Sequence, residues 1–244
     1  MSATELPYGT DQSDVTPQSD AESKRTLGVM LIIGIVVAVL AGFFFSWLAE
    51  EVLEGGLDQV DDLVHSTINS FASPGLTAVM RVASRFGGPR GLAPVGIVLL
   101  IIFLVRKWNR GAVLLGVTMA GAAILDVVLK LGFRRARPEP LFDYPLPSSY
   151  SFPSGHALFS FCFFGALAAL ASPRLHHHWA RVLVWTVAGV LVLLIGVSRI
   201  YFNVHHPSDV AAGFAVGCVW VMIVAVGDHV AHRIKHRRAL RRAA

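Results

Sequence analysis

The chain has 244 residues, 54% hydrophobic and 15% charged, with a formal net charge of +5 and a mean hydropathy of +0.59. That balance falls outside the range of water-soluble globular domains and identifies an integral membrane protein. The basic excess does not describe a nucleic-acid surface, because the lysines and arginines flank apolar runs instead of alternating with exposed aromatics, and no nucleic-acid partner is expected.

Residues 1–26 are rich in Ser, Thr, Asp, Gln and Pro and read as a mobile tail. The run from Leu27 to Ala49 is too long for a signal-peptide core and is read as a retained first span. Beyond the acidic Glu50, the residues Leu57, Val60, Leu63, Val64, Ile68 and Phe71 recur at helical spacing. Asp58, Asp61, Asp62 and His65 then face away from them, which predicts an amphipathic helix at the membrane interface. A short helix over Leu76–Phe86 follows, interrupted by Gly87-Gly88-Pro89. Five further spans are expected at Gly91–Val105, Gly111–Leu131, Gly155–Ser172, Val182–Val197 and Val210–Val226. The membrane domain is thus 27–228, with a basic tail at 229–244. The fold class is all-α: six transmembrane helices with an amphipathic interfacial helix between the first two. Cys162 and Cys218 each lie inside a span and read as packing residues, with no disulfide framework.

Lys24 and Arg25, then Arg106, Lys107 and Arg110, then Arg174 and Arg181, and finally the arginines and lysine of the C-terminal tail fall on one side of this topology. The positive-inside rule makes that side cytoplasmic, with both termini inside a cell membrane. Three polar islands fall on the opposite face. They are Lys130 through Arg137-Pro138, Pro153-Ser154-Gly155-His156, and Ser198-Arg199 through His205-His206-Pro207-Ser208-Asp209. Successive spans alternate in direction, so these islands can converge at one end of a bilayer about 30 Å thick. Arg134, Arg135 and Arg137 depart from the basic-inside bias there, which marks charges that serve a ligand.

Lys130 and Arg137 suit an oxyanion, one as a point charge and the other as a two-pronged donor. Ser154 and Gly155 open a span, where a serine cap and free amides favour phosphate, and His156 stands in the first turn. A carboxylate at Asp209 can hold the far nitrogen of an imidazole one turn away, freeing the near nitrogen to attack. Spacing admits His205, four residues earlier, or His206, three residues earlier. With Arg199 as a third cation, the set can carry out phosphoryl transfer with no metal and no other cofactor.

The patterns K-x6-R-P at Lys130–Pro138, P-S-G-H at Pro153–His156 and S-R-x5-H-x3-D at Ser198–Asp209 resemble the three-part signature of the type 2 phosphatidic acid phosphatase superfamily, in its membrane lipid phosphatase branch. The resemblance implies that His205 is the nucleophile, forming a phosphohistidine, that Asp209 orients it, and that His156 protonates the leaving oxygen. It also implies that Lys130, Arg137, Ser154, Gly155 and Arg199 bind the phosphate. The expected substrate is a lipid phosphate or diphosphate met in the bilayer, with undecaprenyl diphosphate, phosphatidic acid and phosphatidylglycerol phosphate all compatible, and no obligate protein partner is evident. Vanadate-dependent haloperoxidases share such a pocket, and a non-catalytic lipid-binding or transporting relative is the other competing reading.

Overall fold

The computed structural model describes residues 17–243, and among these, eight α-helices follow one another. They are α1 (Pro17–Glu54), α2 (Asp58–Ser70), α3 (Pro74–Gly87), α4 (Pro89–Val105), α5 (Asn109–Phe133), α6 (Gly155–Ala171), α7 (His178–Tyr201) and α8 (Pro207–Ala243). Residues 1–16 of the expected tail lie outside the described residues. From Pro17 onward the backbone is already helical, so α1 starts ahead of its apolar run.

Five of these helices contain segments long and apolar enough to cross a membrane: Leu31–Glu54, Asn109–Phe133, Gly155–Arg174, His178–Tyr201 and Pro207–Lys235. A sixth candidate span is the pair α3 and α4 taken together, bent by 52° at their junction. Pro89 lacks the N–H that would continue the ladder, and a Cβ on Gly91 would lie 2.6 Å from the Arg85 carbonyl oxygen, so the chain turns there without side-chain bulk. Long apolar side chains such as Ile32, Leu40, Phe43, Ile97 and Leu193 are more than half exposed, as lipid-facing positions require.

The centre of the bundle is α6, which packs against α3, α4, α5, α7 and α8. Its residues Leu158, Phe159, Cys162, Phe163 and Ala166 join Leu92, Leu115, Ala122 and Val216 in one buried cluster. Close approach to α8 depends on Gly213, where a Cβ would come within 2.6 Å of the Ser154 carbonyl oxygen. Against the other side of α8 lies α1.

Helix α2 forms, but its orientation corrects the sequence expectation. Asp61 and His65 are buried, whereas Val60 and Leu63 are 53% and 66% exposed. Asp61 and His65 face inward, Asp61 onto Arg135, while Asp58, Asp62 and part of the apolar face look outward. In a lipid solvent such an inversion is favourable, because charges gain from protein partners and hydrocarbon is not penalised outside.

Gly213→Ala should lower the thermal stability of the detergent-solubilised protein by about 1–3 kcal/mol, since a backbone carbonyl cannot yield to a methyl group as a flexible side chain can. A melting curve indistinguishable from wild type would contradict this close helix contact.

Candidate active site

Each polar island is delivered by a helix end. Helix α5 ends in a left-handed residue, Arg134 (φ 49°), whose N–H donates to the Lys130 carbonyl at 3.0 Å. That turn throws residues 135–154 back over the end of the bundle. Helix α7 stops at Tyr201, and the left-handed Asn203 (φ 53°) turns the chain so that His205 sits between α7 and the start of α8. The second and third islands are joined through backbone, with Ser154 N donating to the Asp209 carbonyl at 2.9 Å.

His205 is 1% exposed. Its Nδ1 lies 3.3 Å from Asp209 Oδ2, and Arg137 Nη1 donates to its Nε2 at 2.9 Å. A guanidinium has no lone pair to offer, so Nε2 is the acceptor and the proton resides on Nδ1, facing the carboxylate. Burial, opposed by Asp209 and reinforced by the Arg137 and Arg199 charges, pushes the His205 pKa down to about 3. The imidazole is therefore neutral at ordinary pH, with its free lone pair on Nε2.

Asp209 is fully buried. Its Oδ2 accepts from Ser151 Oγ and from the His206 N–H, the latter at 2.9 Å, while Oδ1 accepts from Arg135 Nη1 at 2.8 Å. Arg137 is held by the Val204 carbonyl at 2.6 Å, the Ser149 carbonyl at 2.7 Å and the Tyr150 carbonyl at 3.0 Å. Burial, followed by the Arg199 charge, lowers its pKa to about 10, which still leaves it a cation.

Lys130 Nζ donates to Asp126 Oδ1 at 2.6 Å and sits against Gly155, where a Cβ would lie 3.0 Å from it. Only glycine allows the ammonium this near to the start of α6. His156 lies against Gly88, since a Cβ there would be 2.3 Å from its Nε2. The Arg199 and Lys130 cations both act on the His156 ring. Arg199, 1% exposed, donates to Ser84 Oγ and, at 3.1 Å, to Tyr144 Oη. All eight residues singled out from the motifs thus gather at the same end of the bundle.

Ser154 differs from expectation in its bonding. It stands at the N-cap of α6, yet its side chain makes no capping bond and its buried Oγ has no partner among the described residues. The Arg199 Nε is likewise without one. These two buried polar atoms are suited to an oxyanion, because a buried donor left unsatisfied is costly and a ligand would satisfy it. His206 is set apart from the cluster, with its Nδ1 3.8 Å from Asp61.

Five contributors escaped the motif reading: Asp61, Ser84, Arg135, Tyr144 and Ser151. Arg135 had a signal, being one of three arginines that break the basic-inside bias. Ser84 and Tyr144 had none, because their contact with Arg199 links positions 55 or more residues apart.

The geometry gathers cations and unpartnered polar atoms around a buried, neutral histidine, and known proteins align with this chain. A family model described as the PAP2 superfamily matches residues 111–232. Phosphatidylglycerophosphatase B of Bacillus subtilis is 29% identical over 200 residues, covering 80% of this chain and 96% of that protein. An undecaprenyl-diphosphatase of Sulfolobus acidocaldarius is 32% identical over 161 residues, covering 62% and 69%. The crystal structure of a transmembrane PAP2 type phosphatidylglycerolphosphate phosphatase from Bacillus subtilis superposes with a TM-score of 0.71 at 28% identity, over 79% of this chain and 96% of that one. The chain belongs to the PAP2 superfamily.

Proposed function

We propose that this protein is a membrane phosphatase that removes a phosphate from a lipid phosphate or diphosphate, with phosphatidylglycerol phosphate, phosphatidic acid and undecaprenyl diphosphate as the candidate substrates. The observation that carries the reading is the neutral His205, tied through Nδ1 to Asp209 and offering Nε2 to a site where Arg137 already stands. Similarity to phosphatidylglycerophosphatase B and to an undecaprenyl-diphosphatase supports the substrate class.

In this mechanism Lys130, Arg137, Arg199 and the donors of Ser154 and Gly155 take the three non-reacting oxygens. Nε2 of His205 forms a bond to phosphorus as the bond to the lipid oxygen breaks. His156 donates its proton to that oxygen, and the bound phosphate supplies the negative charge that lets His156 carry a proton among three cations. Water then attacks phosphorus after yielding a proton to His156, the P–N bond breaks, and inorganic phosphate leaves. The cations meet the charge that builds on the phosphoryl oxygens, a role a metal fills in other phosphotransferases, so chelators are expected to have no effect. Following the charge bias of the loops, we place the site on the extracytoplasmic side, with both tails in the cytoplasm.

A lipid tail also has a place. An apolar groove of about 440 Å³ is lined by Ala78, Val82, Ala83 and Gly87 of α3, Phe164 of α6 and Leu191 and Ile195 of α7. Its lining residues Ala83 and Gly87 are the chain neighbours of Ser84 and Gly88, which touch Arg199 and His156. An apolar groove on the helix that bears these contacts favours a lipid substrate over haloperoxidase chemistry on soluble halide.

His205→Ala should reduce phosphate release from a short-chain lipid phosphate by at least about 10³-fold, whereas His206→Ala should retain most of it. Vanadate should block turnover and EDTA should leave it intact; loss of activity on chelation would refute the metal-free mechanism. Val82→Trp should raise KM for long-chain substrates by roughly 10- to 100-fold through about 1–3 kcal/mol of steric cost, while a water-soluble phosphate monoester is cleaved as before. Equal effects on both substrates would remove the groove from substrate binding.

A further inference from the structure

Outward from Asp209 the buried polar groups continue into a second charge cluster that lies outside the three-part signature. Asp61, on α2, is 2% exposed. Its Oδ1 accepts the Ser208 N–H at 2.9 Å, and its Oδ2 accepts Ser208 Oγ at 2.6 Å and Arg135 Nη2 at 3.0 Å. The other arm of the same guanidinium, Nη1, donates to Asp209 Oδ1 at 2.8 Å and to Ser208 Oγ at 2.7 Å. A carboxylate, a guanidinium and a second carboxylate are therefore stacked in a line that ends at His205.

We propose that Asp61 is a positioning residue for the reaction at His205, holding Arg135 and the first turn of α8 and keeping the Asp61–Arg135–Asp209 cluster net negative. The role rests on the phosphatase reading above. When Nε2 bonds to phosphorus, the imidazole gains positive charge, and the carboxylate behind Nδ1 stabilises it. Paired with Arg135 alone, Asp209 would form a neutral unit with little pull on that charge. Asp61, on the far side of Arg135, restores one net negative charge where water is excluded and charges interact strongly.

Neighbouring groups do not replace it. His206 Nδ1 is 3.8 Å from Asp61 Oδ2, but burial lowers the His206 pKa and keeps it from neutralising the carboxylate. His65 is buried beside His206, and burial lowers its pKa as well. Asp58 is 3.6 Å from Arg135 yet 70% exposed, so water screens it.

The test compares steady-state kinetics of the full chain in detergent, using dioctanoyl phosphatidic acid. Asp61→Asn keeps an Oδ1 acceptor for the Ser208 N–H but removes the charge and, with it, the Oδ2 acceptor of Ser208 Oγ and Arg135 Nη2. It should lower kcat by about 10- to 100-fold, the loss typical of removing an outer partner of a reacting group, with KM within about twofold of wild type. Asp61→Asn combined with Arg135→Gln returns the net charge to that of Asp209 alone and should regain several-fold in kcat over Asp61→Asn. Asp61→Glu should stay near wild type, as should Asp62→Asn on the exposed face of the same helix. Wild-type kcat in Asp61→Asn, a double variant no faster than the single, or an equal loss in Asp61→Glu would each overturn the role. If the wild type released no phosphate from any lipid phosphate, the phosphatase reading would fall, and this role with it.

Discussion

A carboxylate with no exposure to water depends entirely on the donors brought to it, and Asp209 is such a group. Arg135 and Ser151, from the two ends of the 135–154 loop, and the His206 amide and the His205 ring, from the turn between α7 and α8, all converge on it. In a bundle end bounded by hydrocarbon, losing one partner leaves an uncompensated charge that no solvent repairs. The tilt of α8 and the path of the 135–154 loop are therefore coupled to a single side chain. Because Ser154 N also bonds the Asp209 carbonyl, the start of α6 is tied to the same point.

The electrostatics of the site follow a common pattern of alternation. Asp126 faces Lys130, Arg135 lies between Asp61 and Asp209, and Arg199 is laid over the Tyr144 ring with its centre 5.2 Å away. Such pairing lets several cations gather near one another without a bound anion. Buried polar atoms left without a partner among the described residues include Arg199 Nε and Ser154 Oγ. At the opposite end of the bundle Arg110 and Asp228 pair across α5 and α8, with Nε donating at 3.1 Å, and clamp the helices that the site holds together at its own end.

Much of this was legible from the residues because the signature positions are local. Each island lies at a helix end, and alternation of apolar spans alone brings the three to one face. Five of the spans were also readable, while the expected second one, Gly91–Val105, is long enough only when α4 is joined to α3 across a bend visible in the sequence as Gly87-Gly88-Pro89. Asp61 and His65 were assigned to the outward face because helical periodicity reports amphipathicity without saying which side meets protein. Ser154 was expected to cap α6 with its hydroxyl; spacing cannot reveal that the hydroxyl is free. Ser84 and Tyr144 reach Arg199 only through tertiary folding, and nothing near them in the chain marks them.

One contact bears on which molecules can react at all. The Arg137 guanidinium rests on the lone pair of His205 Nε2, so an incoming electrophile meets a cation before it meets the imidazole. On the proposed reading, a group that outbids nitrogen for that cation, as a doubly charged oxyanion does, would clear the approach. Uncharged acyl compounds such as carboxylic esters would lack that means of entry, so the arginine proposed to take phosphate would also shield the histidine from them.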